Sequence, residues 1–314
     1  MEPKIKEHIP VLADEIVKYL LPAEKGRFKF IDGTLGRGGH SSLILQMNTD
    51  AELLGIDRDA EAVKKAEQIL GFAAGRINLV RGEFSSMAEH AVSLGWHLVD
   101  GVLLDLGVSS PQIDTPSRGF SFRSDGPLDM RMDTRSGKTA ARILNNAPEE
   151  ELIRIFRTYG EIRESRKLVR AITARRKERP WSHTLEFAEL CEAVLQTGKR
   201  RSVPPATLCF QALRIEVNDE LKELEKGLEA SIKLLRKGGR IAVISFHSLE
   251  DRIVKNFFRS EASECHCPPG LPACVCSHKK TLKIITRKPI TATEEEKRKN
   301  RRAGSAKLRI AEKI

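Results

Sequence analysis

Apolar positions in the first third of the chain fall into two alternating patterns. Compact apolar runs close "FKFIDG", "AELLGIDRD" and "INLVRGEF", and a fourth fills "VDGVLLDLGVSS". These read as buried strands. Between the first three lie "HSSLILQM" and "AEAVKKAEQIL", whose apolar residues recur three or four apart and predict helices. Strands alternating with helices predict a parallel sheet covered on both faces.

The alternation stops at about Thr115 and does not resume before Pro205. "TAARILNNAPEEELIRIFRTYG", "ESRKLVRAITARRK" and "TLEFAELCEAVL" all carry the helical period. Beyond them, "NDELKELEKGLEASIKLLRKGGR" predicts a helix stopped by its glycine pair. "IAVISFHS" then predicts a strand, "LEDRIVKNFF" a helix and "TLKIITRKPI" a last strand. The charge-dense tail "EEEKRKNRRAGSAKLR" reads as mobile when free. The expectation is one α/β domain made of residues 1–114 and 206–314, interrupted by an all-helical subdomain over 115–205.

Composition narrows the function classes. Of 314 residues, 40% are hydrophobic and 31% charged, as in a globular protein. No apolar run is long enough to span a bilayer, and "MEPKIKEHIP" has no apolar signal core, so no membrane is expected and the cytoplasm is the default location. The net charge of +11 fits a polyanionic partner such as nucleic acid, or simply a basic enzyme.

Chemistry concentrates where strands end. "IDGTLGRGGHSS" places Gly33, Gly36, Gly38 and Gly39 between a strand and a helix, so a ligand can come close to the backbone. The dinucleotide pattern needs a third glycine where Ser41 stands, and no P-loop lysine is present. An acid followed by G-x-x-G-x-G instead suits S-adenosyl-L-methionine in a Rossmann-like methyltransferase. Asp57 ends the next strand and can accept from ribose hydroxyls or cap the helix after it. Phe84 follows the third strand as an adenine neighbour or a core ring.

Asp105 ends the fourth strand, and Ser109, Ser110, Pro111 and Gln112 follow as "SSPQ". Hydroxyls and carbonyls in such a turn can accept from the N–H groups of an exocyclic base amine and hold its nitrogen in line for methyl transfer. Attack at pyrimidine carbon 5 would call for a cysteine nucleophile, which this turn lacks. A plain turn has the same composition. His247 ends the strand after the helical insert, as a proton acceptor, a phosphate contact or a structural hydrogen-bonder.

These stretches, with "HIPVL", "GIDRD", "RGFSFRSDGPLDMRM", "ISFHSLEDRIVK" and "SAKLR", closely resemble the bacterial 16S rRNA cytosine-N4 methyltransferases, the RsmH/MraW family. The resemblance implies a Rossmann-like class I methyltransferase sheet with an inserted helical subdomain. It implies methyl transfer from S-adenosyl-L-methionine to N4 of a decoding-centre cytidine in 16S rRNA of the small ribosomal subunit. Cofactor contacts carry over onto Gly38, Gly39, His40, Asp57, Phe84, Asp105 and Gln112. Ser109, Ser110 and Pro111 are assigned to the target amine. "NRRAGSAKLR" departs from the family's usual residues before "SAKLR", which weakens an RNA role for the tail. A homodimer is left open.

Other features leave alternatives. Arg118, Arg123 and Arg131 beside Phe120 and Phe122 suit an unstacked base and its phosphates, or a solvated loop with core anchors. The clusters "RRKERPW" and "TGKRRSVPP" face RNA or merely end helices. Cys265, Cys267, Cys274 and Cys276 form C-x-C, six residues, C-x-C, with His266 as an extra candidate ligand. They fit a structural zinc site or a reduced loop, and the site assignment includes no metal. The competing functions are a non-catalytic RNA-binding assembly factor that keeps a cofactor pocket, and an NAD-dependent reductase.

Overall fold

The computed structural model describes residues 10–21, 26–135, 137–195, 203–267 and 275–314. Seven strands form one sheet: β1 (Phe28–Asp32), β2 (Ala51–Asp57), β3 (Ile77–Arg81), β4 (Val99–Asp105), β5 (Leu235–Ser245), β6 (Leu282–Ile284) and β7 (Lys307–Lys313). Their order is β3-β2-β1-β4-β5-β7-β6. The first four neighbouring pairs are parallel, whereas β7 runs antiparallel to both β5 and β6. This is a Rossmann-like, mostly parallel sheet closed by an antiparallel pair.

The thirteen helices of the described residues are α1 (Ala13–Leu20), α2 (Gly39–Met47), α3 (Ala60–Ile69), α4 (Met87–Ser93), α5 (Ser110–Asp114), α6 (Ala140–Asn146), α7 (Glu149–Thr158), α8 (Ser165–Glu178), α9 (Thr184–Leu195), α10 (Pro205–Asn218), α11 (Glu220–Leu234), α12 (Ser248–Glu261) and α13 (Glu294–Lys299). Contacts divide the chain into two compact units, residues 1–107 with 222–314, and residues 108–221. The helical unit therefore takes in α5 and α10, which the expected boundaries at 114/115 and 205/206 place with the sheet.

In the sheet unit, successive residues of one strand point to opposite faces. Phe30, Leu53 and Leu103 join Ile16, Leu20, Ile44 and Leu45 in one core. Their neighbours Ile31, Leu54, Val102 and Leu104 join Met87, Leu224, Leu228, Val254 and Phe258 in the other. Both faces are buried, which is why these strands read as continuous apolar runs. Each fully buried Leu, Ile or Phe contributes about 1.5–3 kcal/mol.

Three expectations are corrected here. The tail folds into the sheet: β7 lies between β5 and β6, with Leu308 and Ile310 buried on one face and Ala311 on the other. Its apolar positions alternate with lysine, arginine and glutamate, so charge density hides a strand. "TLKIITRKPI" is not one strand; only Leu282–Ile284 pairs, and Ile290 makes an isolated bridge to Leu308. The helix before β5 ends at Leu234, ahead of the glycine pair. Leu235 already pairs with Val99, and the register then shifts to Gly101 opposite Arg240. Gly238, at φ +79°, supplies the left-handed backbone inside that irregularity rather than a helix cap.

The helical unit has its own core around Trp181, Phe156, Phe187 and Phe210. Arg175 lies 3.8 Å above the Trp181 ring. "RGFSFRSDGPLDMRM" is braced from within this unit. The Arg118 guanidinium donates to the carbonyls of Arg131 and Met132 at 3.1 Å each. Asn218 accepts from the Met132 N–H and donates to the Met130 carbonyl, both at 2.8 Å. Arg131 grips Asp129 through two 2.8 Å bonds, and Phe122 packs on Phe210 at 4.9 Å. Arg123 is exposed. Of "TGKRRSVPP", residues 197–202 lie outside the described residues, as do residues 8 and 9 of "HIPVL".

Candidate functional site

Five parallel strands deliver their carboxyl ends to one rim of the sheet, and the loops there interlock. Gly33, directly after β1, has no room for a side chain: an added Cβ would lie 2.7 Å from Leu104 and 2.9 Å from Phe84. The Gly33 N–H donates to the Leu103 carbonyl at 3.0 Å, and that of Leu35 to the Ile56 carbonyl at 2.9 Å. Gly36 and Gly38 adopt φ of +52° and +76°. Gly38 precedes the first turn of α2, and no side chain hydrogen-bonds to the first-turn amides.

The strand-end acids hold this loop together. The Gly36 N–H donates to Asp57 Oδ2 at 2.8 Å, while Asp57 Oδ1 accepts from the Asp59 N–H at 2.8 Å. The cap of α3 is Asp59, whose Oδ1 accepts from the Glu61 N–H at 3.0 Å. Helix capping is thus not the task of Asp57. Burial pushes its carboxyl above the usual range, against the two amide bonds that favour the charge. Each of its oxygens keeps a second lone pair for a hydroxyl donor.

Asp32 accepts from Ser41 Oγ at 2.6 Å and from the Thr34 N–H at 3.2 Å. Burial nevertheless raises it to about 6. Asp105 is tied to the same loop, its N–H donating to Thr34 Oγ1 at 2.5 Å. Its Oδ2 lies 3.6 Å from Nδ1 of His40, too long for a hydrogen bond. Its Oδ1 is buried and has no hydrogen-bond partner among the described residues. Burial, with the Glu250 charge adding to it, pushes this carboxyl up to about 7.

His40 is buried on α2, with Nε2 2.8 Å from the Val11 carbonyl. Burial holds its pKa below the ordinary value, so the ring is neutral at physiological pH. Nε2 then carries the hydrogen and Nδ1 presents a lone pair towards Asp105. His247 caps α12 and forms a reciprocal box with Glu250, whose Oε2 accepts from the N–H groups of Phe246 and His247 at 2.8 and 3.2 Å. That is a structural hydrogen-bonding position.

Phe84 opens the turn after β3 and is 9% exposed. Its ring lies over Gly227 of α11, where an added Cβ would approach to 2.3 Å. Glu223, one turn earlier on α11, accepts from the Ser85 N–H at 2.9 Å and fixes the same turn. Sequence reading missed Thr34, Ser41, Glu223 and Glu250. The first two stand inside the glycine motif and were legible as acid partners. The glutamates are remote in sequence and become visible only in the fold.

In the helical unit, Ser109 precedes α5 and shares a capping box with Gln112, whose Oε1 accepts from the Ser109 N–H at 3.0 Å. Gln112 is buried and Pro111 stands in the first turn. The structure thus brings Gly38, Gly39, His40, Asp57, Phe84 and Asp105 to one rim of the sheet unit. It places Ser109 to Gln112 in a capped helical turn of the other unit.

The sheet rim fits a cationic nucleoside cofactor. Asp32, Asp57 and Asp105 end three neighbouring strands there with raised carboxyls, and Oδ1 of Asp105 has no hydrogen-bond partner among the described residues. The MraW methylase family model matches residues 5–314. The chain belongs to the MraW methylase family. It is 50% identical over 307 residues to the Ribosomal RNA small subunit methyltransferase H of Carboxydothermus hydrogenoformans, covering 98% of both chains. The protein of the same name from Geobacter sp. strain M21 is 48% identical over 309 residues, again 98% of both. That of Syntrophotalea carbinolica is 48% identical over 316 residues, 100% of both. Family membership agrees with the methyl-transfer chemistry expected from the glycine loop and with S-adenosyl-L-methionine as its donor. No helix among the described residues is long and apolar enough to cross a membrane.

Proposed function

We propose that this methylase transfers a methyl group from S-adenosyl-L-methionine to N4 of a decoding-centre cytidine in 16S rRNA of the small ribosomal subunit. The observation that carries the donor assignment is the buried, unpartnered Oδ1 of Asp105 in a rim of raised carboxyls. Such an acceptor stabilises a cation, and the donor brings an ammonium and a sulfonium. The rRNA assignment is supported by relatives that carry that function in their names and by the net charge of +11.

When bound, the donor supplies an electrophilic methyl group. Asp105 pairs with its positive charge, and Asp57 accepts from the ribose hydroxyls while keeping the Gly36 amide. Gly38 and Gly39 form the backbone turn beneath it, His40 stays neutral beside Asp105, and Phe84 borders the nucleoside. Ser109, Ser110 and Pro111 offer oxygen acceptors to the two amine N–H groups, with Gln112 holding the turn in shape. Fixing those hydrogens orients the nitrogen without covalent catalysis. The enzyme acts in the cytoplasm, where its rRNA substrate is made.

The test is to incubate purified protein and labelled donor with small subunits lacking the modification, then to digest the rRNA to nucleosides. Label in N4-methylcytidine supports the proposal. Label elsewhere, or none, refutes it. Full modification by an Asp105→Ala variant would favour an assembly factor whose cofactor pocket is incidental.

A further inference from the structure

The segment joining α12 to β6 carries chemistry that methyl transfer does not use. Among the described residues, the sulfurs of Cys265, Cys267 and Cys276 all lie within 4.8 Å of one another. We propose that these three cysteines bind one zinc ion as thiolates and that the ion is structural. The proposal is independent of the methyl-transfer reading.

Three observations support it. First, Cys265 Sγ and Cys276 Sγ are 3.7 Å apart. A tetrahedral zinc with Zn–S of about 2.3 Å requires sulfurs about 3.8 Å from each other. A disulfide needs about 2.05 Å. Second, each sulfur accepts a backbone N–H at 3.3 Å: Cys276 from His266, Cys265 from Cys267, and Cys267 from Val275. Amides aimed at all three sulfurs stabilise negative charge there, as a thiolate set requires. Third, two C-x-C pairs bring four cysteines into the motif. The fourth, Cys274, lies outside the described residues, and the other three define the site.

The histidines have other work. His266 Nε2 is 2.9 Å from the Ser260 carbonyl and 3.0 Å from Ser260 Oγ, and His278 Nε2 is 3.1 Å from the Ser263 carbonyl. Their rings stack at 3.6 Å. They fasten the cysteine loop to the carboxyl end of α12 rather than to the metal. On binding, each thiol releases its proton to solvent and gives a lone pair to zinc, with no redox change. The ion then locks a link leading into β6, the last strand of the sheet. Soft thiolate ligands select zinc or iron over hard cations such as magnesium and calcium.

The test uses the untagged full chain, purified without chelator from zinc-supplied cells. Elemental analysis is expected to give about one zinc per chain, released when a mercurial blocks the thiols. Cys265→Ser and Cys276→Ser should each lower the zinc content at least tenfold. Because these variants can fail to fold, the wild-type chain is also exchanged with cobalt(II). Thiolate-to-cobalt charge-transfer bands and intense tetrahedral d–d bands are expected. Absence of both zinc and cobalt bands would overturn the proposal. So would iron in place of zinc, zinc retained in folded Cys276→Ser, or an intact mass two hydrogens light, which marks a disulfide.

Discussion

Nδ1 of His40 faces Oδ2 of Asp105 across 3.6 Å, beyond hydrogen-bonding reach. Burial keeps the histidine neutral and raises the acid to about 7. A half-buried carboxyl in that state is a poor acid for the empty protein and a strong partner for a cation.

Asp105 should therefore make donor binding pH-dependent. Protonation removes the charge that meets the donor, so affinity should fall as pH drops below about 7. Binding near neutrality should release a proton, seen by calorimetry in buffers of different ionisation heat. Asp105→Asn should weaken binding roughly 10- to 150-fold, the worth of a charged hydrogen bond at about 1.5–3 kcal/mol.

The same residue should act on stability in the opposite sense. Its folded pKa exceeds the unfolded value of 3.8, so the empty protein binds the extra proton between 3.8 and about 7. That contribution is complete below 3.8 and is lost as pH rises through about 7. Wild type should lose stability relative to Asp105→Asn between those limits. At pH 8 the variant should be the more stable by at most about 4 kcal/mol, since each tenfold difference in proton affinity between the folded and unfolded chains is worth about 1.4 kcal/mol. Urea melts at several pH values measure the difference.

Asp57→Ala leaves the Gly36 and Asp59 N–H groups without their acceptor. Each unsatisfied buried donor costs about 1–3 kcal/mol, so a loss of roughly 2–6 kcal/mol is expected. Donor binding should fall below detection, since both the loop geometry and the diol acceptor go. Denaturant melts and calorimetry check the two effects separately.

Gly227→Ala sets two known effects against each other. A helix-interior alanine gains about 1 kcal/mol over glycine. The new methyl, however, would stand 2.3 Å from the Phe84 ring. Overpacking costs about 1–3 kcal/mol, so net destabilisation is expected, together with weaker donor binding as the ring is displaced. An unchanged melting temperature with unchanged affinity would remove Phe84 from the site.

Ending the chain at Ala306 deletes β7. β5 would then lose one of its two neighbours, and β6 would lose its link to the sheet. The truncated chain should aggregate or lose cooperative unfolding, measured by solubility and thermal melts. A soluble chain with a full two-state transition would contradict the central place of this strand.

Sequence alone determined the local chemistry. Strand-ending acids, clustered glycines and the "SSPQ" turn are short-range patterns, and buried parallel strands announce themselves as apolar runs. The interrupted alternation announced a helical insert. Tertiary structure decided what depends on partners far along the chain. β7 looked like a charged tail because its neighbours, β5 and β6, had to be known before its alternating residues had faces to occupy. Glu223 and Glu250 became visible only when α11 and α12 brought them to the strand ends. The assignment of α3's cap to Asp59 rather than Asp57 turned on which carboxylate met which amide. Three sulfurs collected under backbone amides could likewise be counted in the sequence, but their convergence is a property of the folded chain. Hydrophobic period is encoded residue by residue. Burial, and with it the raised carboxyl of Asp105, exists only when remote segments together exclude water.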